Sequence, residues 1–521
     1  MSNFWLGLHV LFFLALVSDA YKILVVFPIP SKSYSILGNG VVQHLLNADH
    51  EVTYITAYPW ANPPAKLNQV DVSSLESYFN AAEMLNITKV FEKTLQLNDV
   101  IFVTKLFRGL AGHVAAHDNV QNLLMDPKQQ FDAVIAENVF SDIYSGFAQI
   151  YACPYIIFTP VDMSVLLLPL IDEVPNPAYT NSLQFAHLPP FTFVGRVKEL
   201  FLQTIMPIFV KFMSKPADYD SYIKPVLQKF GRPLRSFEES KSNISLILQN
   251  SHVSMGYAAK LPLNVVNIGG YHIKTETEPL HKNLQELMDN SKEGVIYFSM
   301  GSNLKSKDMP EEIKISLLKM FGSLKQTVLW KFEENFPNLP SNVKVLHWAP
   351  QPSILAHPNC VLFITHGGLL STTETIHYGV PVIGIPVFGD QFVNVDQAVA
   401  KGFAKRVDLS YSMADDLKVA IADILKDPLY KQKIKELSVI YHHRPTTPGK
   451  LLVHEVEHVI LTKGALHLRS PQFLTPWYQK MYLDLVALLL VIYIVLSVMI
   501  KKLCKVLCSK KEKTHNKKKK T

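Results

Sequence analysis

Residues 361–391 read VLFITHGGLLSTTETIHYGVPVIGIPVFGDQ, and the fold follows from them. Val361 to Thr365 is a short apolar run of the kind buried in a parallel sheet. His366-Gly367-Gly368 then predicts a tight turn, and a helix follows with Ser371 and Thr372 in its opening turn. Glycines let the backbone approach a ligand closely. A helix N-terminus offers unpaired N–H groups and the positive end of a dipole. The hydroxyls and the imidazole add donors, so the segment reads as a cradle for a diphosphate. No G-x-x-x-x-G-K-[ST] occurs, which excludes a P-loop. Glu374 lies one turn after Leu370 and can face the same ligand; a carboxylate there suits paired ribose hydroxyls. Asp390-Gln391 follow the next strand at the carboxyl side of the sheet, with polar groups suited to sugar hydroxyls. Upstream, Trp348-Ala349-Pro350-Gln351 sets an indole on a turn, a flat face for a base.

Outward from this stretch, short apolar runs alternate with longer amphipathic segments. Ile23–Phe27, Val52–Ile55, Ala133–Ala136, Tyr155–Phe158 and Ile244–Leu248 form one series of expected strands. Val295–Ser299, Thr327–Trp330, Val343–Leu346, Val361–Thr365 and Val382–Ile385 form a second. Two such series in tandem predict two doubly wound α/β domains. The boundary is expected at Gly269-Gly270, a flexible pair, which gives domains over 21–270 and 271–440 and a helical region over 441–480. The irregular stretches 58–110 and 160–190 lie in the first domain, where a variable substrate pocket belongs.

The chain has 521 residues, 48% hydrophobic and 18% charged, which excludes a disordered protein. Its net charge of +7 does not indicate nucleic acid. Residues 501–521 hold ten lysines and one glutamate, so the remaining 500 residues carry a net −2. Four cysteines make no disulfide framework. Residues 1–20 have the apolar run and the Ser18/Ala20 ending of a secretory signal. Residues 481–500 make an apolar span of about 30 Å, a bilayer core's thickness. Trp477 and Tyr478 stand at one interface and the lysines of 501–521 on the cytoplasmic side. The expected topology is single-pass with luminal domains. Asn86 and Asn243 open N-x-[ST] sequons.

With these residues in view, the chain resembles the family 1 UDP-glycosyltransferases, specifically the membrane-anchored, insect-like animal enzymes. The likeness runs over nearly the whole chain. It includes GVIYFSMG at 294–301, the turn at Trp348, the 361–391 signature, GALHLRS at 464–470 and the anchor with its lysine tail, whose ending resembles the dilysine signal of endoplasmic-reticulum membrane proteins. The resemblance implies a GT-B-like fold, two Rossmann-like domains facing across a cleft. It implies inverting transfer of a hexose from a UDP-sugar, glucose rather than glucuronate, to a small lipophilic acceptor, with no metal and no cofactor beyond the co-substrate. Trp348 would stack on uracil and Gln351 hold the uridine. Ser302, His366, Gly368, Ser371 and Thr372 would take the phosphates, Glu374 the ribose, and Asp390 and Gln391 the sugar. A homo-oligomer is admitted.

One position departs from the family. Counting back from His50-Glu51-Val52 puts Tyr34 where the family has its catalytic histidine. A tyrosine near pKa 10 is a poor base, and losing general-base help costs roughly 10²- to 10⁴-fold. His44, further along the same expected helix, should face elsewhere. The family's partner carboxylate has a match in Glu137. Three readings follow: nitrogen or acidic phenol acceptors; Glu137 or a water as base; or a degenerate homologue that binds UDP-sugar or lipophile without efficient turnover. His454-Glu455-Val456-Glu457-His458 fits the zinc-protease pattern H-E-x-x-H, but no third ligand follows at a familiar spacing. It is expected as an exposed polar helix.

Overall fold

The computed structural model describes residues 20–78, 87–92, 100–139, 141–162, 167–171, 175–180, 189–213, 217–256, 261–274, 276–302, 304–470 and 475–518. Residues 1–19 of the expected signal, the sequon residue Asn86 and residues 519–521 of the tail lie outside the described residues. The chain forms two compact units, Met1–Leu468 and Arg469–Thr521.

Two parallel sheets carry the first unit. One holds β1 (Lys22–Phe27), β2 (Glu51–Thr56), β3 (Leu67–Asp71), β4 (Ala133–Glu137), β5 (Tyr155–Thr159), β6 (Ile244–Gln249) and β7 (Val265–Asn267), in the order β3-β2-β1-β4-β5-β6-β7. The other holds β8 (Val295–Ser299), β9 (Thr327–Lys331), β10 (Val343–Leu346), β11 (Cys360–Thr365), β12 (Val382–Gly384) and β13 (Ala404–Arg406), in the order β10-β9-β8-β11-β12-β13. In β1, Leu24 and Val26 pack into one core and Ile23 and Val25 into another. Burial on both faces is why such strands read as unbroken apolar runs. Every strand expected from such a run is present. The three not foreseen, β3, β7 and β13, all lie at sheet edges, where a polar LNQVD or AKR suffices. Winding reverses between β1 and β4 and between β8 and β11. At such points the loops leaving neighbouring strands diverge, and a crevice opens at their carboxyl ends.

The helices that matter below are α1 (Lys32–Asn47), α2 (Val100–Ala116), α3 (Phe193–Met213), α4 (Gln351–Ala356), α5 (Leu369–Tyr378), α6 (Gln391–Ala400) and α7 (Pro448–Leu461). Helix α7 corrects one expectation. The segment containing HEVEH is amphipathic rather than exposed all round. Its Leu452, Val456 and Val459 are buried in the same core as Leu37, Val41 and Val42 of α1. Its Glu457 Oε1 lies 3.2 Å from Nε2 of buried His50. His44 faces Tyr271, with Nε2 2.8 Å from that carbonyl oxygen, and its ring lies against Gly449. Gly269-Gly270 is a second correction. The pair is a buried turn rather than a flexible link, because Arg444 Nη1 donates to the Gly269 carbonyl at 2.9 Å and the Tyr441 ring covers Gly270.

In the second unit, a single turn at Trp477–Lys480 precedes a long helix, Leu483–Lys518. Tyr482 holds φ +56°, which breaks the helix, so it begins at Leu483 and not at 481. The stretch of Leu483–Val506 is long and apolar enough to cross a bilayer, with no part of it buried.

Candidate functional site

In the second sheet the crevice lies between the loops leaving β8 and β11. Gly301, at the end of the β8 loop, holds φ +84°, and a Cβ there would stand 2.5 Å from Cε1 of His366. Only glycine permits both the backbone and the ring. Half-buried Ser302 follows directly. Gly368 caps α5 without a side-chain cap, which leaves the first N–H groups of a ten-residue helix for a ligand. His366 is enclosed between Gly301 and Gly368. Burial and the nearby Lys331 ammonium pull its pKa down to about 4, so it is a neutral donor at physiological pH.

The polar groups around this crevice are tied together. Gln351 Nε2, in the first turn of α4, donates to Ser371 Oγ at 3.0 Å and to Glu374 Oε2 at 2.7 Å, while Tyr297 Oη donates to Gln351 Oε1 at 3.3 Å. Burial lifts Glu374 to about pKa 7, with the Gln351 hydrogen bond acting against it. Thr372 Oγ1 donates to the Gly368 carbonyl at 3.1 Å. Asp390, before α6, accepts from Asn394 Nδ2 at 2.7 Å, and the same amide donates to the Gly367 carbonyl at 3.0 Å. Gln391 is turned into its own loop. Its Oε1 accepts from the N–H groups of Val387 and Phe388, at 2.9 and 3.1 Å, leaving only its amide donors for a ligand. Trp348 presents an indole that is 57% exposed.

Two contributors were not foreseen. Lys331 ends buried β9, and its Nζ donates to the Gly301 carbonyl at 2.6 Å and lies 5.7 Å from the centroid of the Trp348 ring. Burial draws its pKa down while Glu333 draws it up. A lysine ending the apolar run TVLW was the available signal, since a charge there must have a reason. Lys32 is the other, with its Nζ 4.4 Å above the Trp348 ring. The two ammonium groups converge beside the glycine loop, a setting suited to a dianion.

In the first sheet the crevice lies between the loops leaving β1 and β4. Glu137 ends β4, is 2% exposed and accepts the Ile29 N–H at 3.3 Å on Oε1. Among the described residues its buried Oε2 has no hydrogen-bond partner, and burial pushes its pKa well up. Tyr34 sits in the first turn of α1, packed on Ile29 and Leu110 together with Leu106, Phe107 and Val139. Burial, then Glu137 and Asp390, push its pKa above the ordinary phenol value. Tyr34 therefore stays protonated. Lys32, in the same first turn, reaches the Trp348 ring of the second sheet's half at 4.4 Å, so the two crevices face one another. Asn243 is exposed just before β6, with Ser245 of its sequon buried.

A family profile described as "UDP-glucoronosyl and UDP-glucosyl transferase" matches residues 176–520. The "UDP-glucosyltransferase 2" of Dactylopius coccus is 30% identical over 94% of this chain and 94% of its own. Human "UDP-glucuronosyltransferase 2B17" is 34% identical over 63% of this chain and 61% of its own. Among solved structures, Arabidopsis thaliana UGT89C1 complexed with UDP-L-rhamnose matches with a TM-score of 0.57 at 14% identity, covering 86% of this chain and all of that one. That likeness gives the fold, the GT-B arrangement of two Rossmann-like domains.

Proposed function

The chain belongs to the family 1 UDP-glycosyltransferases, and from that premise we propose that it is an inverting hexosyltransferase whose general base is Glu137. UDP-glucose is the proposed donor, in keeping with the insect relative's name. Trp348 offers its face to uracil, Gln351 and Glu374 the ribose contacts, and Ser302, His366, Gly368, Ser371 and Thr372 the phosphate contacts. Asp390 and Gln391 face the hexose. No metal is required in this reading, because the α5 N-terminus and Lys331 balance the diphosphate charge.

The acceptor side is apolar around Tyr34, which suits a small lipophilic molecule. The acceptor's nucleophilic atom attacks the anomeric carbon, the bond from that carbon to the diphosphate oxygen breaks, and UDP leaves from the opposite face. The acceptor's proton passes to ionised Glu137. The observation that carries this reading is the buried Glu137 oxygen that has no partner among the described residues. Tyr34 cannot serve, because its phenol is held protonated. Amine acceptors attack through a neutral lone pair and depend least on a base, so they are the favoured class with acidic phenols. The endoplasmic-reticulum membrane, with luminal domains and a glycan at Asn243, is the proposed setting; Asn86 is the second acceptor site.

The test compares the wild type with Glu137→Gln and Tyr34→His, expressed in microsomes with UDP-glucose and an arylamine, a phenol and an aliphatic alcohol. The wild type is expected to conjugate the amine and the phenol, Glu137→Gln to lose most of the phenol activity and less of the amine activity, and Tyr34→His to gain the alcohol. Full activity in Glu137→Gln would remove it as the base. UDP-glucose binding without transfer to any acceptor would establish the second reading, a non-catalytic binder, which the protonated Tyr34 favours.

A further inference from the structure

Lys32 is set against its own helix. It opens α1, where the dipole disfavours a cation, and the first turn of α1 holds no acid to offset it. Among the described residues Lys32 forms no ion pair either. Its ammonium instead lies 4.4 Å above the Trp348 ring, across the crevice in the second half of the molecule. Lys331 Nζ lies 5.7 Å from the same ring and donates to the Gly301 carbonyl. Lys331 is buried, whereas Lys32 and Trp348 are both exposed, so Lys32 covers the open side of the indole. That side is the one a base would use. A cation placed there, against its dipole and without a carboxylate, lacks a reason within the chain itself.

We infer that Lys32 is a donor-site cation supplied by the half that carries Tyr34: it leaves the indole when uracil stacks there and pairs with the diphosphate. The inference rests on the reading of Trp348 and the glycine loop as the UDP site. A base stacked on the open side of the ring takes the space the ammonium holds, so binding displaces Lys32. The dianion then lies within the swing of its flexible four-carbon stem. A charge-assisted contact with a phosphate oxygen is stronger than an exposed cation–π contact, so the exchange is favourable. Lys331 makes no such move, because its ammonium is held by the Gly301 carbonyl and by Glu333 Oε1, 3.5 Å away. In the transfer step the electron pair of the anomeric C–O bond goes to the β-phosphate oxygen. Lys32 opposes that new charge and keeps its proton. Lys32 also stands two residues before Tyr34, which packs on Leu106, Phe107 and Leu110 of α2. Donor binding therefore fixes the turn that borders the acceptor, through a residue that serves both halves.

The test is calorimetric titration of the full chain in detergent with UDP and with uridine, for the wild type, Lys32→Met and Lys32→Arg. Methionine keeps an unbranched stem and removes the charge. UDP affinity should fall about tenfold in Lys32→Met, whereas uridine affinity, freed of the competing ammonium, should rise about two- to threefold. Lys32→Arg should return UDP affinity to within about threefold of the wild type. With UDP-glucose saturating and an arylamine as acceptor, kcat of Lys32→Met should fall about tenfold, since the charge that Lys32 meets is largest as the bond breaks. Both titrations are independent of turnover. Unchanged affinities for UDP and uridine in Lys32→Met overturn the inference. So does an equal rise in both, which would leave Lys32 as a cover of the empty ring, and so does an equal fall in both, which would make it a prop for Trp348. A wild type that binds neither UDP nor uridine would instead sink the donor-site reading on which the inference stands.

Discussion

The two sheets are wound alike and open their crevices at the same point of reversal, yet they line them differently. The second sheet lines its crevice with backbone and with side chains fixed on one another. Gly301 and the α5 N-terminus provide the walls, Gln351 locks Ser371 to Glu374, and Asn394 locks Asp390 to Gly367. The first sheet lines its crevice with exchangeable apolar side chains around Tyr34, and with one carboxylate whose second oxygen is unpaired among the described residues. A half built from interlocked groups is rigid and can hold one ligand chemistry. A half built from packed apolar side chains can change its ligand by substitution without losing its frame. The difference is sharpest at the carboxylates. Glu374 is buried with a partner and Glu137 is buried with an oxygen left over.

The largest expected effect tests that contrast directly. Glu137→Gln should lower kcat with the phenol about 10²- to 10⁴-fold, and with the amine by less, while leaving UDP affinity unchanged, by calorimetric titration. In the wild type, transfer requires ionised Glu137, and burial raises the pKa, so log kcat should climb with pH through a value above the ordinary carboxylate range. Whatever activity remains in Glu137→Gln should lack that limb. The linkage to stability has the opposite sense. With the folded pKa raised, this group's contribution is complete below the unfolded carboxylate pKa and is lost as pH rises through the folded value. A wild-type profile with its acid limb at an ordinary carboxylate pKa would show that Glu137 is solvated in the working enzyme.

How far each half was legible follows from the same difference. Strands buried on both faces announced themselves as apolar runs, whereas β3, β7 and β13, on sheet edges, needed no such run. The glycine turn, the α5 N-terminus and the Gln351, Glu374 and Asp390 positions lie within short segments whose spacing carries their chemistry. Lys331 was missed because its partner, the Gly301 carbonyl, is thirty residues away in sequence. The apolar ground under Tyr34 comes from Ile29, Leu106, Phe107, Leu110 and Val139, three separate pieces of chain that only the fold assembles. Helix α7 was misread for a similar reason, since its apolar face needed α1 as a partner.

Glycine substitutions sharpen the comparison. Gly301→Ala adds left-handed strain of about 1–2 kcal/mol and drives a methyl into His366, so UDP affinity and kcat/KM should fall about a hundredfold. Gly38→Ala, in α1, would place its methyl 2.3 Å from Tyr54 Oη and 2.9 Å from Phe27 Cβ. It should cost about 1–3 kcal/mol of stability, seen as a drop of several degrees in Tm, with UDP affinity unchanged. If Gly301→Ala instead lowered Tm and spared UDP affinity, the β8 loop would be structural and the contrast between the halves would fail. Gln351→Ala is a smaller step. It leaves the Glu374 carboxylate without its amide donor, and about a tenfold loss in UDP affinity is expected, without change in the acceptor KM.

The smallest effect is the most specific to the second half. Glu374 sits at about pKa 7 and His366 at about 4, so between pH 6 and 8 the carboxyl titrates and the imidazole does not. Ribose hydroxyls donate best to the ionised carboxylate, so UDP affinity should rise with pH, by about threefold from pH 6 to pH 8. The rise should centre near pH 7. Gln351→Ala removes the hydrogen bond that favours the ionised form, so its midpoint should move to higher pH, whereas Glu137→Gln, in the other half, should leave it in place. Glu374→Gln should abolish the rise altogether. A UDP affinity that instead fell with pH through this range would mean that a protonated group holds the diphosphate, and His366 would then be charged in the complex despite its burial.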